Sequence, residues 1–110
     1  MWHVTLTVGG DELEALIVRN ALRRLNEQRP FLHSLRYAAG CAEIMYWDEG
    51  ESLVDASSLA LRVWNEHRES AGLPRWQVLG LEVLEREVFL ERRHEHQGVV
   101  NVLHVDPVPF

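Results

Sequence analysis

The chain has 110 residues, of which 46% are apolar, and its formal net charge is −6. This length suits one domain with one core and excludes two independent domains. The acidic balance argues against non-specific binding to nucleic acids or anionic membranes, because both need a positive protein surface. All eleven basic residues are Arg, a usage that we attribute to a GC-rich bacterial genome.

A single cysteine, Cys41, excludes an intrachain disulfide and favours a reducing compartment. Residues 2–8 look like a strand and not like the apolar region of a signal peptide. No apolar run approaches the ~20 residues that a transmembrane helix needs. We therefore expect a cytoplasmic protein that makes no membrane contact.

The first half of the chain alternates strand and helix signals. Residues 2–8 alternate with a period of two, which predicts a half-buried strand. Asp11 is the predicted N-cap of a first helix, whose buried stripe includes Leu13, Leu16 and Ile17. Pro30 ends that helix. Residues 31–37 and 42–47 are predicted to form two further strands, joined as a hairpin.

The second half begins with the clearest helix of the sequence. Ser52 is its predicted N-cap, and apolar residues follow at helical spacing up to His67. Gly72, followed by Leu73 and Pro74, is a strong helix stop. Residues 76–85 are predicted to form the fourth strand.

The order β-α-β-β-α-β predicts an α+β fold of the ferredoxin-like βαββαβ type, an antiparallel sheet with two helices on one face. Residues 1–85 form this predicted core. Residues 86–110 are predicted to be a C-terminal β-rich extension of the same domain. Residues 86–93 look extended, 99–105 favour a strand, and the prolines of the tail exclude a central strand. A hairpin and a strand exchanged with a neighbour both remain open.

One predicted sheet face carries an unusual mixture of side chains. If Ile44 and Tyr46 point to the core, Met45 and Trp47 point to the opposite face, together with His3 and Thr5. This face is too apolar for free exposure and too polar for a dry core, which is typical of an interface or a ligand pocket. With His33 added from the second strand, the candidate ligand or interface residues are His3, Thr5, His33, Met45 and Trp47.

Other chemistry has weaker support in the sequence. His94, Glu95, His96 and His104 could converge in a hairpin, but their spacing alone does not predict a metal site, and we expect neither metal nor cofactor. Cys41 lies in an Ala/Gly turn without an activating neighbour. A phosphate-binding glycine loop, a nucleophile elbow and the third-strand motif of RNA-recognition domains are absent, so catalytic residues stay unassigned.

Two functions fit these observations. The first is a small cytoplasmic protein-interaction or regulatory module, homodimeric through the sheet face or the C-terminal strands, which could also receive a protein partner. The alternative is a cofactor-free binding protein or enzyme, which resembles the dimeric α/β-barrel proteins in architecture only. For this alternative His3 and His33 are the expected proton acceptors, with Tyr46 and Trp47 as walls. Whether the protein is an enzyme stays open.

Overall fold

The computed structural model describes residues 1–29, 32–96 and 106–110. Five strands and three helices follow one another along these residues. In chain order they are β1 (Trp2–Gly9), α1 (Ala15–Gln28), β2 (Leu32–Ala38), β3 (Cys41–Asp48), α2 (Leu53–Glu66), β4 (Gln77–Glu85), α3 (Arg86–His96) and β5 (Val108–Pro109). The α+β class is therefore confirmed, with one helix more than predicted.

The strands form one sheet in the order β4-β1-β3-β2-β5. The pairs within β1–β4 are antiparallel, whereas β5 of the C-terminal extension pairs with β2 in parallel, so the five-stranded sheet as a whole is mixed. Pro109 lies in this outermost strand, where a missing N–H does not interrupt a ladder. The tail thus adds an edge strand, as its prolines allow.

The core lies between one face of the sheet and helices α1 and α2. Alternation along β1 and β3 points Val4, Leu6 and Ile44 to this face, where all three are fully buried. The helices contribute their own buried stripes: Val18, Ala21, Leu22 and Leu25 from α1, and Ala56, Ala60, Val63 and Trp64 from α2. The opposite sheet face is thereby left to the residues that alternate with the core set.

Helix α2 begins at the predicted N-cap but ends before the predicted stop: its last residue is Glu66, and His67 is its C-cap. The Ser52 hydroxyl accepts a hydrogen bond from the Asp55 backbone N–H at 3.1 Å, which confirms the N-cap. Gly72 has a φ of +63°, and the Leu73 N–H donates to the Arg68 carbonyl at 2.9 Å. This left-handed glycine closes the turns that follow the helix and directs the chain into β4.

Helix α1 begins later than predicted. Its first residue is Ala15, and its N-cap Glu14 makes no side-chain capping bond, so the proposed Asp11 cap is wrong. Leu16 and Ile17 are 60% and 49% exposed, and the buried stripe starts at Val18. The physical reason is that the Leu13 N–H donates to the Ala39 carbonyl, which holds the preceding segment against the β2–β3 turn as a loop.

Residues 86–93 were predicted to be extended, and this is wrong: they belong to α3, which follows β4 without a connecting loop. Its Arg and Glu residues are good helix formers, whereas the consecutive apolar residues 88–90 imitate a strand. His94 and His96 belong to this helix and not to a hairpin. The predicted strand at 99–105 and His104 lie outside the described residues, and the division at residue 85 stays a prediction.

A buried hydroxyl in the core provides a test by pH. Burial, and secondly the negative charge of Asp48, raise the pKa of Tyr46 from 10.0 to about 12. The folded state therefore holds this proton more tightly than the unfolded chain, so its contribution to stability is complete below pH 10 and is lost as the pH rises towards about 12. We expect the free energy of unfolding, measured with urea, to fall over this range. In Tyr46→Phe the fall should be smaller, and an equal fall would contradict the assignment.

Candidate functional site

The sheet face opposite α1 and α2 carries a cluster of four rings: His3, His33, Trp47 and Phe89. His3 lies on β1 directly opposite Trp47 of β3, and Phe89 reaches it from α3. His3 is only 1% exposed, whereas the other three rings are half-buried. We call these four residues the histidine–aromatic cluster.

The two imidazoles are joined by a hydrogen bond. Their Nε2 atoms lie 2.7 Å apart, so one Nε2–H donates to the other Nε2. The ring centroids are 4.9 Å apart, close to the nitrogen separation plus one ring radius on each side. The rings therefore meet end to end, with both nitrogen lone-pair directions near one line. This geometry holds a single proton between two basic nitrogens.

A β-bulge brings His33 to this face. Leu32 pairs with Tyr46 and Ser34 pairs with Met45, so two steps along β2 match one step along β3 and His33 is the extra residue. β1 and β2 are two strand spacings apart, roughly 9.5 Å, which two imidazole side chains can span. They meet above position 46 of β3, where the side chain of Tyr46 points to the other face and leaves the space open.

The aromatic rings fix His3 from two sides. Phe89 stacks on it with a centroid distance of 3.6 Å and an interplanar angle of 13°. Trp47 meets it edge to face at 5.0 Å, and also contacts Phe89 at 5.1 Å. A polar ring is costly to bury unless its nitrogens are hydrogen-bonded, and the bond to His33 supplies such a partner. The pair is thus held in a largely apolar surrounding, where its electrostatics are strengthened.

The structure places all five predicted site residues on this one face. Thr5 pairs with Met45 in the register of β1 and β3, one step along the face from His3 and Trp47. Thr5 and Met45 are half-buried, so the face continues beyond the four rings. Tyr46, the other proposed wall, is not part of the site: it is 1% exposed and lies in the core. The functional role of the five residues stays a proposal.

Two features of the site were not predicted. Phe89 was missed because its segment was interpreted as extended. The bulge at His33 was missed although the sequence carries a sign of it: Leu32 and Leu35 are both buried but three residues apart, which strict alternation does not allow. Leu32 and Leu35 can both point to the core only if one extra residue lies between them, and a bulge supplies that residue.

A second concave region lies at the opposite end of β1. It is an open cleft of about 500 Å³ lined by Gly9, Gly10, Asp11, Gly40, Arg75, Gln77 and Leu79. The glycines serve packing, since a Cβ on Gly10 would lie 2.6 Å from a Trp76 ring atom. Acids follow in the loop at Asp11, Glu12 and Glu14, which disfavours an anion at the start of α1. The histidine–aromatic cluster, which contains two bonded imidazoles, is therefore the better candidate for a functional site than this cleft.

Neither a metal centre with three or more protein ligands nor a membrane-spanning helix is found among the described residues. Within residues 1–29, 32–96 and 106–110, no group of three or more His, Cys, Asp or Glu side chains could hold a metal ion. Over the same part of the chain, no helix is long and apolar enough to cross a membrane. Cys41 is a free, half-buried thiol at the start of β3.

Residues 1–100 match the family model described as "Domain of unknown function (DUF8830)". The chain belongs to this family. Its sequence matches no curated protein. Among solved structures, this DUF8830 chain is similar to the acylphosphatase from Bacillus subtilis, at 16% identity and a TM-score of 0.44. The match covers 100% of this chain and 99% of that one. It is also similar to an acylphosphatase from Coxiella burnetii, at 13% identity and a TM-score of 0.42, covering 99% and 93%. Likeness at this level carries nothing about activity.

Proposed function

We propose that the protein binds a small planar molecule with an acidic O–H group beside the histidine–aromatic cluster and exchanges a proton with it through the bonded pair of His3 and His33. The end-to-end hydrogen bond between the two Nε2 atoms at 2.7 Å is the observation that carries this function. A pair that already shares one proton can donate at one nitrogen and accept at the other. Imidazole is the side chain best suited to such acid–base work near neutral pH.

The rest of the face supplies the surroundings that such a ligand needs. Trp47 and Met45 are half-buried and provide an apolar wall for a planar ring. Thr5 and Ser34 add hydroxyl groups beside them. In the proposed architecture, a ferredoxin-like βαββαβ sandwich extended by α3 and β5, this is the face opposite α1 and α2, and Phe89 of α3 covers part of it. The same geometry supports two forms of this function: a protein that only binds the ligand, and an enzyme that transfers a proton to or from it.

The test is a titration of the protein with phenol, benzoate and indole, observed by NMR at the Trp47 indole and at the histidine nitrogens. Millimolar binding is expected for probes of this size, at about −4 kcal/mol. Phenol, which can donate a proton, and benzoate, which can accept one, should shift these signals more than indole, and His33→Gln should abolish the difference. If phenol and benzoate still shift these signals more than indole in His33→Gln, or if only signals of other residues shift, the proposal is contradicted. His67→Gln is the matched control, because His67 bonds to Arg29 and to Val63 instead.

A second candidate function is self-association as an interaction module. Leu13, Leu16 and Ile17, predicted to be buried, are 37%, 60% and 49% exposed on the first turn of α1 and just before it. Apolar side chains grouped in this way are typical of a surface that a second copy covers. Light scattering should then report a dimer for the native chain and a monomer for Leu16→Glu. A monomer in both cases would exclude this candidate.

A further inference from the structure

We infer that the histidine pair of the cluster is also a binding site for a divalent transition-metal ion, with Zn²⁺ as the probe. Both Nε2 atoms face each other at 2.7 Å, and imidazole nitrogen is a preferred ligand of zinc, copper and nickel. The inference uses the same two side chains as the proposed function but does not require the planar ligand.

The geometric change on binding is small. Two imidazole nitrogens on one tetrahedral Zn²⁺ lie about 3.3 Å apart, given Zn–N distances of about 2.0 Å, so the present 2.7 Å must widen by about 0.6 Å. The rings must also pivot, because their Nε2 atoms now point at each other and must point at a common position beside that line. The ring that carries its proton on Nε2 must hold it on Nδ1 instead when the metal enters, since a ligating nitrogen carries no hydrogen and a neutral imidazole keeps one N–H.

The surroundings decide which ring moves. His3 is stacked on Phe89 and is 1% exposed, so its orientation is held. His33 is half-buried and lies on the bulge of β2, where the ladder to β3 is irregular, so it can pivot towards solvent. His3 would therefore keep its orientation when the ion binds, and His33 would turn to complete the pair of ligands.

The described residues supply these two ligands and no third protein ligand. Among residues 1–29, 32–96 and 106–110, the remaining coordination positions are left to water or to an exogenous anion. An open position is the arrangement by which a metal polarises a bound molecule or lowers the pKa of a bound water. The aromatic rings of Trp47 and Phe89 form an apolar surrounding for the ion, which strengthens its effect on whatever it binds.

The experiment is a calorimetric titration of the native chain and its variants with Zn²⁺, with the unfolding midpoint measured in parallel. One ion per chain should bind and raise the midpoint, because the folded pair holds it and the unfolded chain does not. Replacing a residue that only supports a metal ligand weakens binding about 10–100-fold. His33→Gln removes a ligand itself, so it should weaken zinc binding by more than this. A His94→Gln/His96→Gln double variant is the control and should bind as the native chain does.

Two results would overturn the inference: no zinc binding by the native chain, or binding retained in His33→Gln and lost in the double variant. Circular dichroism of His33→Gln establishes that it is folded. Repeating the phenol titration with EDTA separates the two proposals. Phenol binding without zinc binding would leave the proposed function standing alone, and zinc binding without phenol binding would do the reverse.

Discussion

Replacing Trp64 with Ala is expected to lower the free energy of unfolding by about 3–5 kcal/mol. The side chain is fully buried in the core. Its Nε1–H donates to the Pro74 carbonyl at 3.2 Å, and its ring is parallel to that of Trp76, with centroids 6.3 Å apart. The variant thus loses a large buried ring, a hydrogen bond and the stacking on Trp76, which directly precedes β4. Against a total of about 5–15 kcal/mol, this removes a large fraction of the stability.

Urea denaturation measures this loss, and two variants bracket it. Trp64→Phe keeps a ring but removes the bond to Pro74, so a smaller loss of about 1–2 kcal/mol is expected. Leu61→Ala changes a side chain on the same helix that is 48% exposed, and should stay within about 0.5 kcal/mol of the native chain. A Trp64→Ala protein as stable as Leu61→Ala would show that α2 does not pack on the sheet as described.

The second large effect is expected at the histidine pair. His3→Ala should cost about 3 kcal/mol, because it removes a ring that is 1% exposed and packed against Phe89 and Trp47. His33→Ala should cost about 1 kcal/mol, since that ring is half-buried and chiefly loses its hydrogen bond. The double variant should cost less than the sum by about 1 kcal/mol, which is the interaction energy of the pair.

Additivity decides this prediction. If the two imidazoles bond as described, the His3/His33 cycle is non-additive, whereas a cycle between His33 and His67 is additive within about 0.5 kcal/mol. His67 accepts from the Arg29 side chain at 2.7 Å and bonds to the Val63 carbonyl through its other nitrogen, so it shares no partner with His33. An additive His3/His33 cycle would contradict the bond at 2.7 Å.

Much of the site's placement was predictable from alternation alone. A period of two along β1 and β3 correctly puts His3, Thr5, Met45 and Trp47 on the face opposite Ile44, because side-chain direction in a regular strand depends only on position. The same reasoning could not predict where His33 points. A bulge changes the direction of every residue beyond it, and its position depends on the partner strand.

The remaining errors share a physical cause: tertiary contacts override local preference. Asp11 is a good capping residue, but the hydrogen bond between Leu13 and Ala39 holds its segment as a loop, and α1 begins at Ala15. Around Phe89, consecutive apolar residues imitate a strand although the helix-forming charged residues beside them prevail. Phe89 completes the cluster, so the part of the site contributed by α3 could not be derived from the sequence.

Both proposals depend on the hydrogen bond between His3 and His33, and NMR tests this bond most directly. In protein labelled with ¹⁵N at histidine, a nitrogen–nitrogen scalar coupling across the hydrogen bond should connect the two Nε2 atoms, which lie 2.7 Å apart. The coupling should vanish in His33→Gln and persist in His67→Gln. A native protein that shows no such coupling, with each Nε2 carrying its own proton, would contradict the shared-proton pair and both proposals built on it.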